Sequence, residues 1–246
     1  MEMTKLRVLL TNDDGYHAEG LQCLYHTLKT DFEVAVVAPD RERSAVGHGI
    51  TMHHPLRVTQ VLDQHWMVDG TPADCVKIAL ENLLKDFQPQ LIISGINRGP
   101  NLGNDVLYSG TVSAALEGSF YNIPSIAASL VEYGKADFTV AAEFIRANME
   151  LLLETAAKSI ININFPATTS FEGYKFTKLG KRIYENVFEE RKDLRGRTYY
   201  WMGGEPVGAN QEDNSDISAV EEGYISITPL QSDLTNYKLL NALTNS

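Results

Sequence analysis

Cysteine is scarce: the 246-residue chain has two, Cys23 and Cys75. One pair cannot build the disulfide framework of a small secreted fold or a Cys-rich zinc site. Both fall inside amphipathic helical patterns, where core thiols are expected. Basic charge is scarce as well. Lys and Arg total 21 against 32 Asp and Glu, a formal net charge of −11, so an electrostatic footprint for long nucleic acid is missing. A small phosphate compound is still compatible, because a bound cation reverses the local field. No apolar run approaches the ~18 residues of a membrane span, and the longest, around 32–38 and 123–131, are short or interrupted. The stretch after residues 1–5 stays apolar only as far as Asn12, too short for a signal-peptide core, so the chain reads as cytoplasmic. Histidine stops at His65 and forms no His-Glu-x-x-His pair, which argues against a histidine zinc site. Gly-x-Ser-x-Gly, Gly-x-Gly-x-x-Gly and Walker patterns are all missing, so a serine elbow and a dinucleotide or NTP phosphate loop are unsupported.

What is present is an alternation. Strand-like runs at 6–11, 33–38, 90–94, 124–129 and 160–164 are interleaved with helical periods at 19–29, 71–84, 109–120 and 138–157. In the first of these helices Leu21, Leu24, Tyr25 and Leu28 share a face; the second opens with Thr71 as N-cap and Pro72 at the first helical position. Segments 56–62 and 66–68 read as a hairpin-type excursion. Repeated strand–loop–helix units predict a mostly parallel sheet with helices on both faces. After Pro166 the pattern changes to strands at 174–179, 197–201 and 224–229 and a short helix at 233–243. The expected organisation is an α/β core over 1–166 and, over 167–246, a C-terminal β-hairpin and helix appendage for oligomerisation.

Three loops leave the carboxyl ends of predicted strands, where open α/β sheets bind ligands. The first is Thr11-Asn12-Asp13-Asp14-Gly15. Asn, Asp and Gly are ordinary turn formers, but two adjacent carboxylates repel, and a divalent cation makes it favourable to keep both ionised. The other two carry Ser44 and Asn97. Taken singly these are loop-capping residues; brought together with the acidic pair they make a hard-oxygen set suited to Mg2+ or Mn2+ more than zinc. Tyr108-Ser109-Gly110-Thr111 opens a helix. Its free N–H groups, a glycine that admits close approach and two hydroxyls suit an anion, although a plain Ser N-cap reads the same way. Tyr199, Tyr200 and Trp201 have the rings to stack on a base, but strand preference assigns them to a β core. Loop 40–54, with Gly47, Gly49 and no period, has the composition of a lid.

Several blocks, in order from residue 6 to about 230, resemble the survival protein E (SurE) family: Leu9-Leu10-Thr11-Asn12-Asp13-Asp14-Gly15, the run from Val37 to Ser44, Val68 to Val76, Ser94 to Gly99, Asn101 to Val106, Tyr108 to Ala115 and Gly223 to Leu230. Asn214-Ser215-Asp216 departs from the Gly-Thr-Asp expected there. The resemblance implies a three-layer α/β/α Rossmann-like core, a C-terminal arm exchanged within a homodimer or homotetramer, and a metal-dependent phosphatase acting on nucleoside 5′- and 3′-monophosphates, with short polyphosphate a further substrate in some relatives. It implies one divalent ion per subunit on Asp13, Asp14, Ser44 and Asn97, and phosphate binding by Asn101, Ser109, Gly110 and Thr111. Asp13 and Asp14 are then the catalytic pair, with Asp13 steering water for direct attack.

Three rivals make different demands. A haloacid-dehalogenase-type phosphatase wants Asp-x-Asp, which adjacent aspartates do not supply. A receiver-like signalling module would hold Mg2+ with paired acids after strand one, span about half this length, and accept phosphate on Asp69. A nucleotide-binding protein without turnover would bind and release its ligand intact.

Overall fold

The structure, a computed structural model, describes residues 5–132, 136–168, 170–185, 188–203, 205–209 and 213–244. The core strands are β1 (Arg7–Thr11), β2 (Glu33–Pro39), β3 (Val58–Leu62), β4 (His65–Val68), β5 (Leu91–Arg98), β6 (Ser125–Leu130) and β7 (Ile160–Phe165), followed by β8 (Tyr174–Phe176), β9 (Arg182–Glu185), β10 (Phe188–Lys192), β11 (Thr198–Met202), β12 (Glu205–Ala209) and β13 (Ile225–Leu230). The helices are α1 (Glu19–Leu28), α2 (Pro72–Ile78), α3 (Gly110–Phe120), α4 (Thr139–Ala147), α5 (Met149–Ala156), α6 (Asp216–Glu221) and α7 (Tyr237–Thr244).

Nine strands form one sheet in the order β3-β4-β2-β1-β5-β6-β7-β13-β8. The pairings from β4 through β7 are parallel, whereas β3 and β13 each run antiparallel to one neighbour. Central strands such as β6 and β7 are buried at every position because helices cover both faces. One apolar layer places Leu21, Leu24 and Leu28 of α1 and Ile145 of α4 against Val8, Leu10, Ile93 and Ile163. The opposite layer sets Cys75, Val76 and Ala79 against Leu9, Val37 and Ile92.

Two helices differ from the predicted ones for local reasons, and two strands for their place in the sheet. The helix expected over 138–157 is two, because Asn148 interrupts it: its backbone N–H and its side-chain Nδ2 both donate to the Phe144 carbonyl, at 3.0 and 2.9 Å. α2 passes into a π turn over Ala79–Leu83, closed by Leu84 N–H to the Ala79 carbonyl at 2.8 Å. β13 and β8, both after Pro166, extend the core sheet rather than standing apart from it. The rings assigned to a β core are on the surface: β10 and β11 form a separate two-stranded ribbon on which Tyr200 and Trp201 are 60% and 61% exposed. Both cysteines are free, Cys75 buried and Cys23 partly so.

Candidate active site

The loop after β1 contains both of its sequence readings at once. Asn12 and Gly15 make the turn, with Nδ2 donating to the Gly15 carbonyl at 2.9 Å and Gly15 N–H donating to Oδ1 at 3.2 Å. The pair between them, Asp13 and Asp14, is thereby left for other work. The loop after β2 joins through Arg43 N–H to the Asp13 carbonyl at 2.7 Å. The end of β5 joins through Arg98 N–H, which donates to Asp14 Oδ2 at 3.1 Å.

Two adjoining cavities lie above these strand ends. One, of about 250 Å3, is lined by Asp13, Ser44, Asn97, Asn101, Asp105 and Ser109 among others. Its neighbour, of about 390 Å3, is lined by Asp14, His17, Glu42 and Phe138 and shares Ser44 and Arg98 with the first. The four residues read as metal ligands therefore line these cavities from two loops and from the end of β5, where Asn97, expected on a loop, pairs with Ser129 of β6 because the strand runs on to Arg98.

Their chemistry fits a hard divalent cation. Burial is the main cause that pushes Asp13 up to about 6; the Thr111 hydroxyl opposes it and the Asp14 charge adds to it. Asp14 is also raised, first by burial and then by the Glu42 charge, against the Arg98 N–H. Two adjacent carboxylates that both resist ionisation are what a cation would relieve. Ser44 Oγ donates to Glu42 Oε1 at 2.7 Å, which leaves the hydroxyl lone pairs for a metal. Asn97 Nδ2 donates to the Gly99 carbonyl at 2.8 Å, so Oδ1 is the atom left over. Among the described residues no cluster of three or more His, Cys, Asp or Glu is placed to hold a metal, so mixed oxygen ligation is what the chain offers.

The segment read as an anion site departs from its sequence reading at one residue. Ser109 caps α3, its Oγ accepting from Val112 N–H at 3.0 Å. Gly110 lets the helix start press on the acidic pair, since a Cβ there would lie 2.8 Å from Asp13 Cβ. Thr111, however, is fully buried, and its hydroxyl donates to Asp13 Oδ1 at 2.5 Å. Its backbone N–H also bonds the Asp13 carboxylate. In this structure Thr111 serves Asp13.

Sequence reading passed over Glu42, which holds Ser44, and three fully buried residues beneath Asn101: Ser129, Asn162 and Asn164. The last two had a visible signal, since polar residues alternate with Ile161 and Ile163 in a strand otherwise read as core. Asp69, the acceptor a receiver-like module would need, takes hydrogen bonds from Arg57 and lines neither cavity. The composition of loop 40–54 suggested a lid, but the loop is tied down: Gly47 N–H to the Tyr108 carbonyl, Thr71 Oγ1 to the Gly49 carbonyl, and Thr51 to Asp74.

A family model described as survival protein SurE matches residues 8–186. The 5′-nucleotidase SurE of Heliobacterium modesticaldum is 51% identical to this chain over 98% of its length and 91% of the relative's own. That of Alkaliphilus metalliredigens is 51% identical over 98% of both. Among solved structures, the SurE protein from Aquifex aeolicus is similar with a TM-score of 0.86 and 40% identity, over 97% of this chain and 98% of that one.

Proposed function

The chain belongs to the survival protein SurE family, and we propose that its strand-end site hydrolyses nucleoside monophosphates with one divalent ion, Mg2+ or Mn2+, held by Asp13, Asp14, Ser44 and Asn97. The reaction class is that of a metal-dependent nucleotide monophosphatase, a phosphoric monoester hydrolase. The observation that carries the residue assignment is the meeting of an acidic pair, a hydroxyl and an amide oxygen, from two loops and the end of β5, at adjoining cavities.

The cation, when bound, supplies positive charge against the phosphoryl oxygens and lowers the pKa of water beside it. Asp13, held between Thr111 and the start of α3, steers the attacking water and takes up its proton. Ser109, Gly110 and Asn101 bind phosphate oxygens, where the positive end of the α3 dipole favours the charge that spreads in the transition state. Thr111 contributes through Asp13. Water attacks phosphorus directly, with no phosphoenzyme, as the bond from phosphorus to the nucleoside oxygen breaks and that oxygen leaves with a proton from solvent. Nucleoside 5′- and 3′-monophosphates are the substrates, short polyphosphate a further one, and long nucleic acid is disfavoured by the net charge of −11. No helix among the described residues is long and apolar enough to cross a membrane; the working compartment is the cytoplasm and the assembly a homodimer or homotetramer.

The test is phosphate release from a panel of 3′- and 5′-monophosphates, with and without each ion, beside Asp14→Asn. Metal-dependent release that drops by on the order of a thousandfold in the variant is expected. Release that survives the substitution would remove the acidic pair from the chemistry.

A further inference from the structure

We infer that Asn162 and Asn164 of β7, with Ser129 of β6, are positioning residues for the phosphatase reaction, acting as a side-chain clamp on Asn101. The inference rests on the reading above that Asn101 binds phosphate, and it names what holds that residue in place. Asn101 lies in the irregular segment after β5, where among the described residues no neighbouring strand bonds its backbone. Side chains supply what a ladder would. Asn164 Oδ1 accepts from Asn101 N–H at 2.9 Å, and Asn164 Nδ2 donates to the Asn101 carbonyl at 3.0 Å. Asn162 Nδ2 donates to the same carbonyl at 2.8 Å, while Asn101 Nδ2 donates to Ser129 Oγ at 2.8 Å. The backbone and the amide of Asn101 are thus both fixed from below. The second Nδ2 hydrogen and Oδ1 remain for the cavity that Asn101 lines with Asp13, Asn97 and Ser109.

The clamp is out of place in a core built only for packing. Ser129, Asn162 and Asn164 are each wholly buried, and Ser129 and Asn164 are register partners across β6 and β7. On the same face of β7 the neighbouring strand β13 places Ser226 opposite Asn164 and Thr228 opposite Asn162, while Ile161 and Ile163 on the other face enter the apolar layer. Asn162 Oδ1 is buried with no protein partner among the described residues, an uncommon state for a core amide. Where apolar groups of similar shape would pack at least as well, the retained amides have a task, and the only irregular backbone they reach among the described residues is Asn101.

Asn162→Leu separates the task from the packing, because it keeps the number and branching of the side-chain heavy atoms and leaves the Asn101 N–H bonded to Asn164. The full-length protein loaded with Mn2+ is assayed for nucleoside 5′-monophosphate turnover, for competitive inhibition by inorganic phosphate, and for its thermal midpoint. Wild type run in parallel tests the underlying reading: no metal-dependent release from wild type overturns that reading and this inference with it. With wild type active, kcat/KM in Asn162→Leu is expected to fall by about tenfold or more, the inhibition constant for phosphate to rise, and the midpoint to hold or increase. A smaller fall, or a loss of activity that follows a lowered midpoint with phosphate inhibition unchanged, overturns the inference alone. Ser129→Ala, a smaller change that frees only the Asn101 side chain, decides by the same thresholds should the first variant not fold.

Discussion

At Asp13 stability and chemistry pull in opposite directions. Its pKa is raised from 3.8 to about 6, chiefly by burial, so without metal its ionisation at neutral pH destabilises the fold by on the order of 3 kcal/mol relative to the unfolded chain. The sign follows from the direction of the shift: the unfolded chain gives up this proton first. The contribution of Asp13 to stability therefore declines as pH rises from 3.8 through about 6, and it stays lost above that. Asp14 shifts in the same direction. Asn at position 13 keeps an acceptor for the Thr111 hydroxyl without the charge. Metal-free Asp13→Asn is thus expected to melt above metal-free wild type at pH 7.5, by about 1–3 kcal/mol or several degrees for a chain of this size, with the gap closing towards pH 4 and with no phosphatase activity. Thermal melts in chelator across pH check this; a variant that melts no higher than wild type at pH 7.5 would refute it. The acidic pair was legible in the sequence because nothing structural needs two adjacent carboxylates at a strand end. The work of Thr111 was not, because a hydroxyl one residue past a helix's first position turns towards a ligand or back into the fold depending on what packs against it. Here Gly110 lets Asp13 take that place.

The loop between β2 and β3 shows what composition leaves out. Two glycines and no period describe a chain free to move, yet its backbone is claimed by side chains remote in sequence. Asp74 does most of this, accepting from Thr51 N–H at 2.9 Å and Thr51 Oγ1 at 2.6 Å while closing the capping box of α2 with Thr71. A second tie joins His48 Nε2 to the buried Glu117 at 2.9 Å, with Lys77 Nζ on the other carboxylate oxygen at 2.7 Å. Such partners lie beyond the reach of a local pattern, whereas the cap itself was readable as Thr71-Pro72. Asp74→Ala removes the carboxylate half of the capping box and the anchor together, while the Thr71 hydroxyl still caps α2. It is expected to cost about 2 kcal/mol of stability and to weaken Mn2+ binding, since the loop carrying Ser44 is released. Calorimetric metal titration beside a thermal melt checks both. Loss of stability with metal affinity intact would show that the anchor serves α2 alone.

Across the whole molecule, the parallel centre was readable because strands buried on both faces are nearly continuous in apolar residues. The C-terminal third was not, because there a strand's sequence does not say which sheet it joins. β13, where Ser226 and Thr228 alternate with Ile225 and Ile227, enters the core beside β7; β10 and β11, equally strand-like, stay outside. Asn214 illustrates the same limit: it takes a left-handed φ of 63° where the family pattern led us to expect Gly, and Asn tolerates that conformation. The ribbon of β10 and β11 is exposed along its whole length, with Phe188, Trp201 and Met202 more than half exposed, and α7 buries no residue although Leu239, Leu240 and Leu243 lie along it. An isolated two-stranded ribbon is marginally stable in water, and apolar surface concentrated in this way marks an interface. A second copy of the chain is the cover that closed symmetry supplies most simply. Light scattering after gel filtration is expected to give a dimer or tetramer, and Trp201→Glu combined with Met202→Glu to shift it to a smaller species. The acidic pair, Ser44, Asn97 and Asn101 all come from one chain, so that smaller species should still bind Mn2+. A monomeric wild type, or an assembly unmoved by the paired substitution, would mean that the ribbon stands uncovered and is held by its own cross-strand pairs.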